Sequence, residues 1–263
     1  MASGLISTEA FADLLAHGAA TVLDVRGTAA YLKGHIPGAA ATRWQDFTDP
    51  DTRIKGMLHP DSRVLAERFG ALGVSNDRPV VVYSEPFENW GAEGRFFWML
   101  HYLGHDDVRV LDGGFPMWRK QGREVAFLPS RPRPAAFTPM IRVNALIDKA
   151  GVVDCLNESP ETVVVDARSH DEYVKEGHLP GAVNLSWLTL YDEEGRLKPE
   201  AELRAMLRAA GITPDREIVP YCTGGVRSAW FFFVLHTLGY PRLRNYDGSW
   251  WEWSADPDAP LEF

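Results

Sequence analysis

Two stretches of the chain, LDVRGTAAYLKGHIPGAAATRW (23–44) and VDARSHDEYVKEGHLPGAVNLSW (165–187), are variants of one pattern. Each contains an Asp-x-Arg motif, a tyrosine, a His-x-Pro-Gly-Ala motif and a closing tryptophan, in the same order. The second stretch carries one extra residue before its histidine and otherwise aligns without a gap. Self-similarity of this kind predicts that the chain contains one fold twice.

Three further pairs of segments repeat in the same order. They are VVVY (80–83) with IVPY (218–221), LHYLGH (100–105) with LHTLGY (235–240), and LDGGFPMW (111–118) with YDGSWWEW (246–253). Because the matched segments extend over most of the chain, we expect a tandem duplication.

A proline-rich segment, FLPSRPRPAAFTP (127–139), separates the two copies. Proline fixes φ and removes an N–H donor, so this segment is expected to be an extended linker. The sequence therefore predicts a first domain over 1–126, a linker over 127–139 and a second domain over 140–263. We call the two domains the first copy and the second copy.

Short β-type runs alternate with helical stretches in each copy. Runs such as TVLDV (21–25) and VRVL (108–111) are separated by stretches such as SRVLAERFGALG (62–73) and AELRAMLRAAG (201–211). This alternation predicts an α/β fold in which each copy has a mainly parallel sheet with helices on both faces. In such sheets the functional loops lie at the carboxyl ends of the strands.

Composition narrows the possible partners and location. The chain has 263 residues and a formal net charge of −9, which argues against nucleic acid and anionic membranes as partners. Its strongest apolar run, 229–235, is too short to cross a bilayer, and the N-terminal sequence lacks the features of a secretory signal. Two cysteines form no disulfide framework, so we expect a cytoplasmic protein. Separately, we expect the protein to be a monomer.

The segment CTGGVRS (222–228) follows the IVPY run and precedes an aromatic helical stretch. Its glycines allow close approach of the backbone to a ligand, and its N–H groups are expected to converge at the positive end of a helix dipole. Such a field favours a thiolate, and Arg227 adds a positive charge. We therefore interpret Cys222 as a nucleophile. The alternative is a cysteine that merely packs, which is our interpretation of Cys155.

The spacing of this loop bears on what the thiolate attacks. Phosphatase-type loops have five residues between cysteine and arginine, whereas four separate Cys222 from Arg227. The smaller cradle favours a single sulfur atom over a phosphoryl group, with a phosphatase kept as an alternative.

Together, the Tyr31 to Ala39 block, the Cys222 to Arg227 loop and the Tyr246 to Trp253 block resemble the two-domain rhodanese family of sulfurtransferases. The resemblance implies two similar α/β domains with the active site between them and only the second domain catalytic. In agreement, Ser84 stands in the first copy where Cys222 stands in the second. The first copy is therefore expected to be catalytically silent.

The resemblance also implies a set of site residues and a reaction. Cys222 takes a sulfur atom from a donor such as thiosulfate, becomes a persulfide, and passes the sulfur to cyanide or a thiol, without a metal or other cofactor. The residues expected to bind substrate are Thr223, Gly224, Gly225, Val226, Arg227 and Ser228 of the loop, with Trp90 and Asn89 contributed by the first copy.

Two alternatives stay open. Family members that use 3-mercaptopyruvate carry an extra arginine at the position of Glu172 and a threonine at the position of Arg227, so both residues favour thiosulfate here. A non-catalytic persulfide carrier would need the same Cys222 loop.

The repeated residues are given structural roles. We expect Asp24 with Arg26, and Asp166 with Arg168, to form buried pairs. His35 and His178 are expected to be hydrogen-bonded in turns. Trp250 is a candidate for the wall of the cleft.

Overall fold

The computed structural model describes residues 4–263. The first copy is built on a five-stranded parallel sheet in the order β1-β5-β4-β2-β3. Its strands are β1 (Leu5–Ile6), β2 (Thr21–Asp24), β3 (Ala40–Ala41), β4 (Val80–Tyr83) and β5 (Val108–Leu111). Its helices are α1 (Thr8–Ala16), α2 (Thr28–Leu32), α3 (Ser62–Ala71), α4 (Ala92–Tyr102) and α5 (Gly114–Lys120), with a 3₁₀ helix over Trp44–Phe47.

The second copy repeats this order of elements. Its strands are β6 (Leu146–Ile147), β7 (Thr162–Asp166), β8 (Val183–Asn184), β9 (Glu217–Tyr221) and β10 (Asn245–Tyr246). Its helices are α6 (Lys149–Glu158), α7 (His170–Lys175), α8 (Glu200–Ala209), α9 (Val226–Thr237) and α10 (Ser249–Trp253), with 3₁₀ helices over Val143–Ala145 and Trp187–Leu190. Strands pair in parallel as β8-β7-β9 and β10-β6, and a parallel bridge from Ile218 to Leu243 joins the two groups. The tandem α/β fold is confirmed.

Among the described residues, no helix has both the length and the apolar composition that crossing a membrane requires.

The Asp-x-Arg motif ties the end of one strand to its neighbours. In the second copy, the Asp166 carboxylate accepts bonds from the Arg168 guanidinium (2.7 Å) and the Tyr221 hydroxyl (2.6 Å), and all three side chains are buried. Arg168 also donates to the carbonyl of Gly177 at 2.7 Å, which fixes the turn before His178. Asp24, Arg26 and Tyr83 form the same network in the first copy. Because each charge is paired and bonded, the burial of these residues is tolerated, and the expected structural role is confirmed.

The histidines of the repeats are buried in turns, as expected. His35 Nδ1 lies 3.0 Å from the carbonyl of Tyr31, and His178 Nδ1 lies 3.1 Å from that of Tyr173. Each imidazole stacks on the tyrosine to which it bonds. These contacts account for the repetition of the histidine without a catalytic role.

The proline-rich segment runs without regular structure along the first copy. The Ala135 N–H donates to the carbonyl of Gly70 at 2.9 Å, and Asn76 exchanges two bonds of 2.8 Å with Thr138. Phe137 is buried and packs edge-on against Phe69 of the first copy. The linker is therefore anchored to the first copy.

Helices α4 and α9 pack against each other where the two copies meet. A Cβ atom at Gly94 would stand 2.3 Å from the Cα of Trp230, so only glycine allows this approach. Beside it, Arg95 of α4 forms a buried ion pair with Asp247 and donates to the carbonyls of Gly225 (3.2 Å) and Gly56 (2.9 Å). The first copy thus supports the loop that carries Cys222.

Removal of either partner of this pair should destabilise the whole protein. Arg95→Met or Asp247→Asn leaves a buried polar group without its partner, and each should lower the free energy of unfolding by about 3–5 kcal/mol. The double variant should lose less than the sum of the two losses, because it removes both partners. Urea denaturation measures all three values. Lys175→Met, which breaks an exposed ion pair with Asp171, is the control and should be without measurable effect. Additive losses would contradict a direct interaction.

Candidate active site

Cys222 lies directly after β9 and before the first turn of α9, at the carboxyl edge of the sheet. Its carbonyl accepts a bond of 2.9 Å from the Trp250 N–H, and its own N–H donates to Ser249 Oγ at 3.1 Å. Gly225 precedes the helix with a φ of 77°, and a Cβ atom there would stand 2.6 Å from the carbonyl oxygen of Asp247. The loop is therefore fixed on both sides by the segment that leads into α10, and glycine is required at its end.

The surroundings of the thiol favour its ionised form. Burial alone would raise the pKa of Cys222, whose exposed fraction is 1%. The charge of Arg227, the N–H and hydroxyl of Ser228 and the N–H of Gly224 outweigh this effect, and the net shift of the pKa is downward. Ser228 Oγ is buried and has no hydrogen-bond partner among residues 4–263, so its hydroxyl is available to the sulfur. A thiolate in this cradle can act as a nucleophile.

Arg227 is already engaged by a carboxylate. Its two terminal nitrogens each donate to an oxygen of Glu172 at 2.8 Å, and one of them also donates to the Thr223 hydroxyl. Glu172 lies in the first turn of α7, where it forms a capping box with Ser169. Burial alone would raise the pKa of Glu172, yet the bonds from Arg227 and Ser169 lower it to about 2. The guanidinium of Arg227, which is expected from the sequence to bind substrate, is therefore bonded to Glu172 in the structure.

A cavity of about 210 Å³ opens above the sulfur. From the second copy it is lined by Cys222, Thr223, Gly224, Val226 and Arg227, and its wall is completed by three tryptophans, Trp44, Trp90 and Trp251. Trp90 comes from the first copy, is 59% exposed, and has its ring centroid 5.4 Å from the guanidinium carbon of Arg227. The cavity thus lies between the copies, with an aromatic wall and a thiol at its base.

Gly225 and Ser228 belong to the site but do not line the cavity. Gly225 sets the start of α9, and Ser228 lies in the first turn of that helix, where its N–H and hydroxyl lower the pKa of Cys222.

Two residues that the sequence suggests for the cleft, Asn89 and Trp250, do not line the cavity. Asn89 is directed away from the cavity, because its amide donates to the carbonyl of Val25 at 2.6 Å and to Ser84 Oγ at 3.0 Å. Trp250 is buried under the guanidinium of Arg168, with 4.4 Å between that group and the ring. The next residue, Trp251, is 38% exposed and lines the cavity in place of Trp250. In the short helix α10, successive residues point in different directions, so the tryptophan that faces the site is not evident from the sequence.

The first copy has a modified version of the same site. Ser84 follows β4 as Cys222 follows β9, and Gly91 begins α4 in the left-handed conformation that Gly225 adopts before α9. The second residue of α4 is Glu93, whereas the second residue of α9 is Arg227. Burial raises the pKa of Glu93. The carboxyl group of Glu93 accepts a hydrogen bond of 2.7 Å from the hydroxyl of Tyr191. A carboxyl group in place of a cation removes the field that a thiolate would need.

The differences between the copies mark the residues of the site. Four aligned positions around the sulfur differ between the copies: Cys222 corresponds to Ser84, Arg227 to Glu93, Ser228 to Gly94 and Ser249 to Gly114. Sequence reasoning missed Ser249, Trp44 and Trp251. Of these, Ser249 could have been found from the aligned Gly114.

The fold and the site define a duplicated α/β protein with a thiol-based centre in its second copy. The model of the rhodanese-like domain matches residues 7–121 and 149–256, so the chain belongs to the rhodanese family. It is 36% identical to the sulfur carrier protein TtuD of Thermus thermophilus over 98% of this chain and 95% of that protein. It is 34% identical to the thiosulfate sulfurtransferase of Pseudomonas aeruginosa over 92% of this chain and 90% of that protein.

A solved structure has the same fold. The chain superposes, with a TM-score of 0.89, on the anaerobic ergothioneine biosynthesis enzyme from Chlorobium limicola in complex with trimethyl histidine. The match covers 99% of this chain and 70% of that one at 24% identity.

The hydroxyl of Ser228 should lower the pKa of Cys222. Since a hydrogen bond to the thiolate favours the charged form, Ser228→Ala should raise this pKa, and the alkylation of Cys222 by iodoacetamide should then require a higher pH. In the unmodified protein the midpoint should lie below that of an ordinary cysteine, because the pKa of Cys222 is lowered. Mass spectrometry of the Cys222 peptide separates its alkylation from that of Cys155. Ser186→Ala, a serine without a capping bond, is the control. An unchanged midpoint in Ser228→Ala would contradict the assignment.

Proposed function

We propose that this protein is a thiosulfate sulfurtransferase that works through a persulfide on Cys222. The observation that carries the proposal is a buried cysteine of lowered pKa, held by loop N–H groups at the base of an aromatic cavity. Membership of the rhodanese family supports sulfur transfer as the chemistry.

The reaction has two steps. The Cys222 thiolate attacks the outer sulfur of thiosulfate, the S–S bond of the donor breaks, and sulfite leaves with the bonding electron pair. The product is a cysteine persulfide anion, whose charge the N–H groups of Gly224 and Ser228 and the cation of Arg227 stabilise. Cyanide or a thiolate then attacks the outer sulfur of the persulfide and regenerates the Cys222 thiolate. Because the first product leaves before the acceptor reacts, we expect ping-pong kinetics.

The donor is inferred from two observations. Several relatives, including that of Pseudomonas aeruginosa and one from Bos taurus that is 33% identical over 85% of this chain, are named thiosulfate sulfurtransferases. Glu172 argues against 3-mercaptopyruvate, because the carboxylate of that donor would meet a carboxylate at the position where an arginine would be needed.

A sulfur carrier is the second candidate. The relative from Thermus thermophilus, which is named a sulfur carrier protein, supports this reading. A carrier would accept sulfur once and release it only to a specific protein, whereas an enzyme would turn over with small acceptors.

Several assignments stay predictions. These are the roles of the loop residues and Trp90 in substrate binding, the domain limits of 1–126, 127–139 and 140–263, the monomeric state, the cytoplasmic location, and the identity of the physiological acceptor.

Sulfur transfer to cyanide, measured separately from thiosulfate and from 3-mercaptopyruvate, tests the proposal. We expect repeated turnover with the larger kcat/KM for thiosulfate, complete loss in Cys222→Ser, and unchanged turnover in Cys155→Ser. Mass spectrometry after incubation with thiosulfate alone should find one added sulfur atom on the Cys222 peptide. Loading without turnover would favour the carrier, and a preference for 3-mercaptopyruvate would reject the proposed donor.

A further inference from the structure

A second cavity lies at the edge of the first sheet where strands β2 and β4 begin. It has a volume of about 320 Å³ and is bounded by the start of β2, by Arg78 just before β4, and by the linker at 131–133. Ser84, the counterpart of Cys222, follows the opposite end of β4. The two cavities share no lining residue, so this one is separate from the active site.

Three arginines line this cavity without an acid to neutralise them. Arg131 and Arg133 are exposed, and within residues 4–263 their side chains have no hydrogen-bond or ion-pair partner. Arg78 donates to the carbonyls of Gly18 and Ala20 (2.9 Å to the latter), which fixes its guanidinium at the cavity. No aspartate or glutamate of the described residues lines it. In a chain with a net charge of −9, this concentration of positive charge indicates a site for an anion.

The linker holds two of these arginines in place. On one side of them, the Ser130 N–H donates to the hydroxyl of Tyr31 at 2.8 Å, and on the other, the Ala135 N–H donates to the carbonyl of Gly70 at 2.9 Å. Two prolines between these anchors fix φ. The backbone that carries the arginines is therefore ordered before a ligand binds, and binding costs less conformational entropy.

A larger cavity of about 640 Å³ adjoins the basic one. Arg78 lines both, and the larger cavity has an apolar wall that includes Leu15 and Trp118. Its other charged residues, Arg123 and Glu124, have opposite charges. A molecule that spans both cavities can place an anionic group among the three arginines and an apolar body against this wall.

On these observations we propose that the two joined cavities, which we call the linker site, bind an organic phosphate monoester. A guanidinium presents its N–H groups in a fork that matches the oxygens of phosphate, and three arginines suit a dianion better than a monoanion. The organic group of the ester occupies the larger cavity. The inference is independent of the proposed function, because Cys222 and its loop take no part in the linker site.

Isothermal titration calorimetry of the full chain with three probes tests the ligand class. The probes are phenyl phosphate, inorganic phosphate, which lacks the ring, and phenyl sulfate, which has the same shape and one charge fewer. We expect phenyl phosphate to bind with a stoichiometry of one. Its Kd should be about tenfold lower than that of inorganic phosphate, because the ring is buried. Its Kd should also be about tenfold lower than that of phenyl sulfate, because the arginines favour the dianion.

Variants and a chemical block test the place of binding. Arg131→Gln and Arg133→Gln should each raise the Kd of phenyl phosphate by about threefold to tenfold, since each removes one charged donor. Arg208→Gln makes the same change of charge on an exposed residue of α8 and should leave the Kd unchanged. Alkylation of Cys222 by iodoacetamide, which blocks the active site, should also leave it unchanged. Thermal unfolding establishes that each variant is folded.

Four results would overturn the inference. These are the absence of saturable binding of phenyl phosphate, equal affinity for phenyl phosphate and phenyl sulfate, an equal loss of affinity in Arg208→Gln, and loss of binding after alkylation of Cys222. The third would show an effect of overall charge, and the last would place the ligand in the active site. A failure of thiosulfate to form a persulfide would reject the proposed function and leave the linker site intact.

Discussion

The buried ion pair between Arg95 and Asp247 is the interaction on which the arrangement of the site depends. It joins helix α4 of the first copy to the turn before α10 in the second, and the same arginine bonds the carbonyl of Gly225. Through these contacts the first copy determines where the loop of Cys222 lies. The close packing of Gly94 against Trp230 then sets the distance between the two helices. The site is thus built from both copies, although Cys222 belongs to the second.

The electrostatics of the site follow from a balance of three charges. Arg227 and the first turn of α9 favour the thiolate of Cys222, and Glu172 compensates the arginine without removing it. The arginine can therefore lower the pKa of the cysteine while its terminal nitrogens are held in place by a carboxylate. The pairing fixes the position of the guanidinium beside the sulfur.

Much of the architecture could be predicted from the sequence, because duplication doubles the evidence for each element. The repeated Asp-x-Arg and His-x-Pro-Gly-Ala motifs indicated the buried networks, and the glycines of the loop indicated the cradle of Cys222. The wall of the cavity could not be predicted in the same way. Trp44 reaches the cavity only through the docking of the two copies, and Trp251 lines it because of the direction that its side chain takes in the short helix α10. The pairing of Glu172 with Arg227 joins residues 55 positions apart. No local periodicity reports such contacts.

The way in which α9 is buried has a consequence for the history of the protein. Its residues from Val226 to Leu235 are all buried, on the face toward its own sheet and on the face toward α4. A free second copy would expose phenylalanine and tryptophan side chains to water and leave Asp247 without its arginine. The first copy therefore cannot be lost without exposing the core of the second, even where its own loop differs, as at Ser84 and Glu93. The packing of α4 against α9 makes the two copies mutually dependent.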